Sequence, residues 1–464
     1  VPGNNLINSL PKRKQGLAGR LSYAYDGKYM AEVNMGYNGS ENFAKGHRWG
    51  FFPSIALGYN ISEESFFEPL RKVITSMKLR GSWGLVGNDQ IGGERFIYMP
   101  TINLSGKGFT TGIDQNYGLS GPVYTRYENN SITWEVGEKI NLGIDLQLLN
   151  SLNIVVDIFR ETRRDIFQKK GTIPTYLGTG NTDVFGNLAE MKNQGLDLSI
   201  DYNKAFSKDF YMNFKGTFTY AHNEITKYDE APKYAFQSKV GQSANVSQGY
   251  LSNGLFLDEA EIDRYNQQMG STLGAGDIKY LNVSNMHGYG DDIVDVDDWT
   301  WIGNPTVPEI VYGFGPSFKY KNWDFSFFFQ GVAKTSLFMS GFHPFGDNSL
   351  RNVLQFVAND RWSPTNQNVD AKYPRLTRKT SLNNTNPGNS GRTSDYWMRD
   401  GSFLKLKNME LGYTFKRMRF YISGSNLLTF SKFDLWDPEQ GGGSGLKYPT
   451  QRVFNVGFQM TFNN

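Results

Sequence analysis

The chain has no cysteine and only four histidines in 464 residues: His47, His222, His287 and His343. Without thiols there is no disulfide, thiolate zinc site, iron–sulfur cluster or cysteine nucleophile. The histidines are too scattered to form a His-rich metal site. Long apolar runs are missing as well. The longest, within residues 153–159 (NIVVDIF) and 325–332 (FSFFFQGV), fall far short of the ~18–20 residues that a spanning helix needs. Charge of one sign is not in excess. The 48 Lys and Arg face 45 Asp and Glu, with no clustered basic footprint of the kind that binds nucleic acid. No order of Ser, His and Asp stands out, and paired carboxylates need a defined separation across a substrate, so no enzyme is expected.

What the chain does have is aromatic rings, 15% of all residues, and 51 glycines, well above the usual ~7%. The rings recur with period two. Phe210, Met212, Phe214, Phe218 and Tyr220 alternate with Tyr211, Asn213, Lys215, Thr217 and Thr219. Ile140, Leu142, Ile144, Leu146 and Leu148 alternate with Asn141, Gly143, Asp145 and Gln147, and Phe454, Val456, Phe458, Met460 and Phe462 with Asn455, Gly457, Gln459 and Thr461. A helix would scatter these apolar residues around its circumference, so they predict strands.

About thirteen strands can be placed, near 12–26, 28–42, 47–61, 75–88, 134–149, 151–166, 194–206, 209–223, 309–321, 323–339, 402–416, 418–430 and 451–462. Short turns near Asp26, Asn150, Ser207, Lys321 and Lys416 alternate with long polar segments at about 89–133, 167–193, 224–308, 340–401 and 431–450. Two links, 43–46 and a partly helical 62–74, fit this alternation less neatly. Outer-membrane barrels have short periplasmic turns on one rim and long extracellular loops on the other. A soluble β-sandwich rarely puts its long loops at one end and does not need so much outward Phe and Tyr. The fold class is therefore all-β, a transmembrane antiparallel β-barrel with long extracellular loops. One strand breaks phase: Leu404 and Leu406 have the opposite parity to Met409, Leu411, Tyr413 and Phe415. A β-bulge near Lys407 and Asn408 restores a single outward face. A closed bacterial barrel has an even number of strands and no open edge in lipid. Thirteen is odd, so residues 1–464 are expected to be the C-terminal portion of a larger barrel.

Several long motifs then become specific. GYNGSENF (36–43), RWGFFPS (48–54), KLRGSWGLVGND (78–89) and IGNPTVPEIVYGF (302–314) occur in that order, followed by NDRWSPTN (359–366), SDYWMRDGSFLKLKNMELGYTF (394–415), SGSNLLTFSKF (423–433) and DPE (437–439). Over essentially its whole length the chain resembles a SusC/RagA-type TonB-dependent outer-membrane transporter. The resemblance implies an intact barrel of about 22 strands with an N-terminal plug, of which these are the last thirteen. It implies uptake of oligosaccharides or peptides with a SusD-like surface lipoprotein as lid, energised through TonB acting on the plug. Plug, TonB contacts and first strands would precede Val1. A dimer of transporter–lipoprotein pairs is also implied.

Two groups of residues are candidate sites. GDIKY (276–280) and DDIVDVDDW (291–299) resemble a family segment that spaces oxygen ligands around a glycine turn, as calcium loops do. Asp291, Asp295 and Asp297, with Asp298, keep acidic positions. Asp292 replaces the turn glycine, however, Trp299 replaces the final Arg, and extra residues part the two halves. Calcium is the one cofactor suggested; a solvated acidic loop folded over the mouth is the simpler reading. Trp299, Trp301, Trp362, Tyr396 and Trp397 are expected to be exposed in loops, in contact with cargo or lid, although their place in motifs shared irrespective of cargo favours a structural role. Arg160, Arg163 and Arg164 are expected at the outer rim. The leading function is active import. A receptor or scaffold barrel without transport is the alternative, and a passive porin is disfavoured by loops that would crowd its mouth.

Overall fold

Side chains alternate across a pleated strand, so a strand between lipid and water needs one apolar and one polar edge. The computed structural model describes residues 10–92, 95–174, 176, 182–265, 267–268, 273–339, 353–376 and 393–462. Thirteen long strands in it form one large antiparallel sheet with neighbours consecutive along the chain. They are β1 Lys14–Tyr25, β2 Tyr29–Ser40, β3 Trp49–Asn60, β4 Ile74–Asn88, β5 Glu135–Leu148, β6 Leu152–Lys169 and β7 Phe185–Ala205. The series continues with β8 Phe210–Lys227, β9 Ile310–Tyr320, β10 Trp323–Ala333, β11 Phe403–Phe415, β12 Met418–Ser431 and β13 Val453–Met460. All thirteen expected strands are present. No helix among the described residues is long and apolar enough to cross a membrane, which says nothing against strands that do.

The chain divides into two units, residues 1–200 with 221–231 and 239–242, and residues 201–220 with 232–238 and 243–464. In the first, Leu17, Leu21 and Tyr23 of β1 lie opposite Tyr37, Val33 and Ala31 of β2. Most of this apolar edge is bare: Leu21 is 72% exposed. Such a surface is stable only against hydrocarbon. The opposite edge carries Arg20, Ser22, Glu32 and Asn34, joined by hydrogen bonds such as Arg20 Nη2 to Glu32 at 2.5 Å. Turns between strands are tight. Asp26 and Gly27 both have positive φ, and Lys28 N–H donates to the Tyr25 carbonyl at 3.0 Å, the geometry that right-twisted hairpins prefer. At the other strand ends of this unit, Phe43, Ile91, Ile97, Ile132 and Trp134 form a small core, with Phe52, Phe167 and Phe185 against it.

In the second unit the bulge lies where the parity change predicts it. The β10–β11 register slips where Phe328 and Phe329 pair with Asn408 and Leu406, leaving Lys407 as the extra residue on that side, and the β11–β12 register shifts at the same place, between Leu406 and Asn408. Leu404 and Leu406 therefore share an edge with Met409 and Leu411, opposite Phe430, Leu428, Gly424 and Ile422 of β12.

The differences from expectation lie at the loop ends. Strand β7 begins at Phe185, not near 194, and β8 continues to Lys227. The strand expected at 323–339 stops at Ala333, because Lys334 turns out of the sheet with φ +54. Ser336–Phe338 then pairs with Met398–Asp400 in a separate two-stranded sheet. Within 89–133, expected as loop, Thr101–Thr111 pairs with Tyr117–Arg126. Three register shifts in that hairpin explain why its sequence shows no clean alternation. The link at 62–74 is partly helical as expected, with 3-10 turns at Ile61–Glu63 and Ser65–Leu70.

The two-edged sheet makes a direct prediction. In the full-length protein refolded into lipid vesicles, Leu142→Arg on the bare apolar edge should cost about 2–4 kcal/mol in a denaturant titration. Asn141→Asp adds a charge to the opposite edge, beside Arg20, Lys78 and Arg80, and should change stability by less than ~0.5 kcal/mol, as surface changes usually do.

Candidate functional site

The polar edge of the sheet is organised by arginines. Arg80 on β4 grips Asp145 of β5 with two nitrogens, at 2.7–3.0 Å, and reaches Asp157 of β6 at 3.0 Å. A cavity of about 520 Å³ opens beside it, lined by Arg20, Ser22, Glu32, Lys78, Arg80 and Asn141 among others. In the second unit Arg419 of β12 bridges Asp324 of β10 and Glu410 of β11, the latter at 2.5 Å. A cavity of about 380 Å³ there is lined by Asn213, Lys215, Ser317, Ser326, Glu410 and Ser423 among others. These bidentate pairs hold flexible cations against the wall, so the polar edge offers hydroxyls, amides and balanced charge, not a field of one sign.

The long segments of the second unit fold into a core of their own. Tyr250, Leu255, Ile278, Tyr280, Val357, Trp362, Tyr373, Trp397 and Phe433 are buried together. Asp277 is wholly buried and accepts two hydrogen bonds from Arg375, at 2.6 and 2.9 Å, and one from Gly274 N–H at 2.9 Å. Gly276, at the head of GDIKY, has φ +85, and a Cβ there would sit 2.3 Å from the Trp362 ring. Only glycine fits that contact. The Tyr396 hydroxyl donates to the Ala371 carbonyl at 2.7 Å and that of Tyr265 to the Tyr280 carbonyl at 2.8 Å. Burial pushes the Tyr396 and Tyr373 phenols up from their ordinary range, so both stay neutral.

This core corrects one expectation. Trp362 and Trp397 are not exposed, at 5% and 0% of their surface, because segments this long bury apolar groups among themselves. Trp299, Trp301 and Tyr396 are half-buried. Trp299 meets Tyr250 edge-on, and the Trp301 indole donates to the Ser238 carbonyl at 2.8 Å. Arg163 pairs with Glu161 at 3.2 Å, and Arg164 lies 3.7 Å from Glu138.

The acidic run is a self-capped turn. Asp295 accepts from Asp297 N–H at 2.8 Å, while Asp298 accepts from Asp295 N–H at 2.8 Å and from Ser284 N–H at 2.9 Å. Burial lifts the Asp298 carboxyl above its usual range, against the pull of those two donors. Asp291 accepts from Ile293 N–H and from the Asn282 and Ser284 side chains, at 3.1–3.2 Å. Asp297 pairs with Lys233. The carboxylates serve the loop's own donors and do not converge. Among the described residues no group of three or more His, Cys, Asp or Glu side chains is placed to hold a metal ion, so the arrangement does not fit a calcium cage.

A cluster that sequence reasoning missed ties the last long segment to the sheet. Lys405 is 1% exposed. It donates to Asp437 and, at 2.8 Å, to Glu439. Lys407, the bulge residue, donates to both Glu439 oxygens at 2.7 and 2.9 Å. The signals were present separately, as the DPE motif and the phase break, but nothing local connects residues 32 positions apart. Burial opposes ionisation of Asp437 and Glu439. The lysines outweigh it and hold both carboxyls below the usual range.

A family model described as "TonB dependent receptor-like, beta-barrel" matches residues 2–427. The chain belongs to that family. Its members are transporters and receptors of the outer membrane and not enzymes, which places this chain in that membrane. TonB-dependent receptor SusC of Bacteroides thetaiotaomicron is 28% identical over 471 residues, spanning 96% of this chain and 43% of SusC. TonB-dependent receptor P3 of Formosa agariphila is 27% identical over 481 residues, 96% of this chain and 45% of the other. Among solved structures, the RagAB peptide transporter has a TM-score of 0.70 at 20% identity, covering 97% of this chain and 48% of that one, which shows a shared fold. The SusC/RagA resemblance carried by the motifs thus holds, and the chain spans about half the length of the relatives it matches.

Three outcomes follow. Lys405→Met leaves two carboxylates without their buried cation. In the full-length protein, amide exchange across 431–450 should then rise at least tenfold, with little change in β1–β4. Carboxyls held below their ordinary value of about 4 contribute stability above that value and lose it as pH falls through the lowered one. Protection of 431–450, the slowing of exchange relative to unfolded chain at the same pH, should therefore be level from pH 7 to pH 5 and fall only below about 4. Calcium titrated into the full-length protein and into its Asp295→Ala variant should give the same heats.

Proposed function

We propose that the intact protein is an active outer-membrane importer of oligosaccharides or peptides, energised through TonB and working with a SusD-like surface lipoprotein. The observation that carries this reading is the two-edged sheet of a TonB-dependent family member. Its apolar edge suits lipid, and its polar edge is held by Arg–carboxylate pairs beside cavities whose lining mixes charged, hydroxyl and amide side chains with apolar ones. Such a wall binds uncharged or zwitterionic polar cargo weakly and at many points, as passage requires. We place residues 1–464 as the C-terminal portion of a barrel of about 22 strands. The plug and the residues that meet TonB then lie in sequence preceding Val1, and transporter–lipoprotein pairs associate as dimers. The core built from long segments is a candidate seat for the lipoprotein, with the half-buried Trp299, Trp301 and Tyr396 at its edge.

Uptake separates import from a receptor or scaffold role. Cells carrying the full-length gene in place of the deleted copy are given fluorescent oligosaccharides and, separately, oligopeptides, with and without TonB. Import predicts accumulation of one cargo class that falls to background without TonB. Equal signal in both strains would leave only binding at the surface.

A further inference from the structure

We propose that Tyr234, Phe236, His287 and Tyr289 form a glycan-binding platform, on which a sugar ring of an external oligosaccharide stacks while Lys233 and Asp297 bind its hydroxyls. The four rings come from two parts of one long segment. Tyr234 and Phe236 are stacked at 5.5 Å and 10°. His287 lies on Phe236 at 4.7 Å and 15°, and Tyr289 against Tyr234 at 4.3 Å. Two ring pairs therefore stand side by side. His287 and Tyr289 are exposed, with Tyr234 and Phe236 half-buried.

The platform is built before any ligand arrives. Gly288 and Gly290 have φ of +81 and +64, and no atom lies within 4 Å of a Cβ at either. Backbone geometry, not crowding, calls for glycine there, and the His-Gly-Tyr-Gly alternation carries both rings to the same partners. The opposing segment is fixed by Gln237 Nε2 donating to the Asp297 carbonyl at 3.0 Å, and by Gln248 Nε2 and the Trp301 indole donating to the Gln237 and Ser238 carbonyls at 3.0 and 2.8 Å. The self-capped acidic turn thereby acquires a purpose. It keeps Asp297 and its partner Lys233 at the platform's edge, with the Lys233 ammonium 5.3 Å from the Tyr234 ring.

Flat rings beside a fixed ion pair match the two faces of a sugar. Its C–H groups lie on an aromatic plane, and its hydroxyls take charge-assisted hydrogen bonds at the rim. Rigid rings lose little entropy on binding. This assignment rests on the oligosaccharide half of the cargo reading above. Binding in micelles needs neither TonB nor uptake, so a failure of the platform and a failure of active import are distinguishable.

The full-length protein in detergent micelles is applied to an array of neutral hexasaccharides, and the best binder is measured by titration calorimetry. The platform predicts at least a tenfold loss of affinity in the His287→Ala/Tyr289→Ala double variant, and a loss of less than about threefold in Tyr289→Phe, which keeps the ring. Far-UV circular dichroism and exchange protection of β9–β11 report that the fold persists. Three results would overturn the assignment. They are no hexasaccharide bound by the unaltered protein, equal affinity in the double variant, and loss of lipoprotein or oligopeptide binding with glycan affinity unchanged.

Discussion

Every backbone N–H and C=O in the strands must find its partner in a neighbouring strand, because hydrocarbon offers none. That single requirement organises the molecule. It makes extended chain compulsory between the two membrane surfaces, and with extended chain comes strict alternation of side chains. The bare rows of Leu, Phe and Tyr on one edge and the Arg–carboxylate pairs on the other are two outcomes of the same ladder. It also removes constraint elsewhere. Beyond the lipid, water can satisfy the backbone, so the long segments are free to leave the sheet and build a core of another kind.

That second core obeys different physics. It is held by buried aromatic rings, by one wholly buried carboxylate with its guanidinium, and by glycine where a ring presses on the backbone. Asp277 with Arg375 and the Tyr396 hydroxyl on Ala371 share one logic, polar groups taken out of water with their partners attached. Lys405 is the extreme case, an ammonium sealed between two carboxylates of the segment that links β12 to β13. Breaking such a pair on one side strands a buried charge, so the attachment is either complete or costly.

The thirteen strands are legible in the sequence because lipid imposes a period that no loop imitates. Even the bulge can be read, from Leu404 and Leu406 falling out of phase with Met409 and Leu411. The loop core is not legible. Its contacts join residues such as Asp277 and Arg375, 98 positions apart, and no periodicity announces them. Long polar segments suggest solvent around Trp362 and Trp397, whereas tertiary packing decides burial. The acidic run shows the converse limit. Its composition suggests a cation, while hydrogen bonds that composition cannot reveal assign Asp295 and Asp298 to each other and to nearby backbone. The hairpin within 101–126 escapes a sequence reading because three register shifts erase its alternation.

The bulge at Lys407 can be viewed as a change of reading frame. On its C-terminal side the odd-numbered Met409, Leu411, Tyr413 and Phe415 line the apolar edge; on its N-terminal side the even-numbered Leu404 and Leu406 do. Because one residue absorbs the shift, the lipid row stays continuous while Lys405 and Lys407 both reach Glu439 of the same acidic motif. The two ends of this strand thereby serve different neighbours. One strand can thus face hydrocarbon at one end and hold an acidic loop at the other without leaving the sheet.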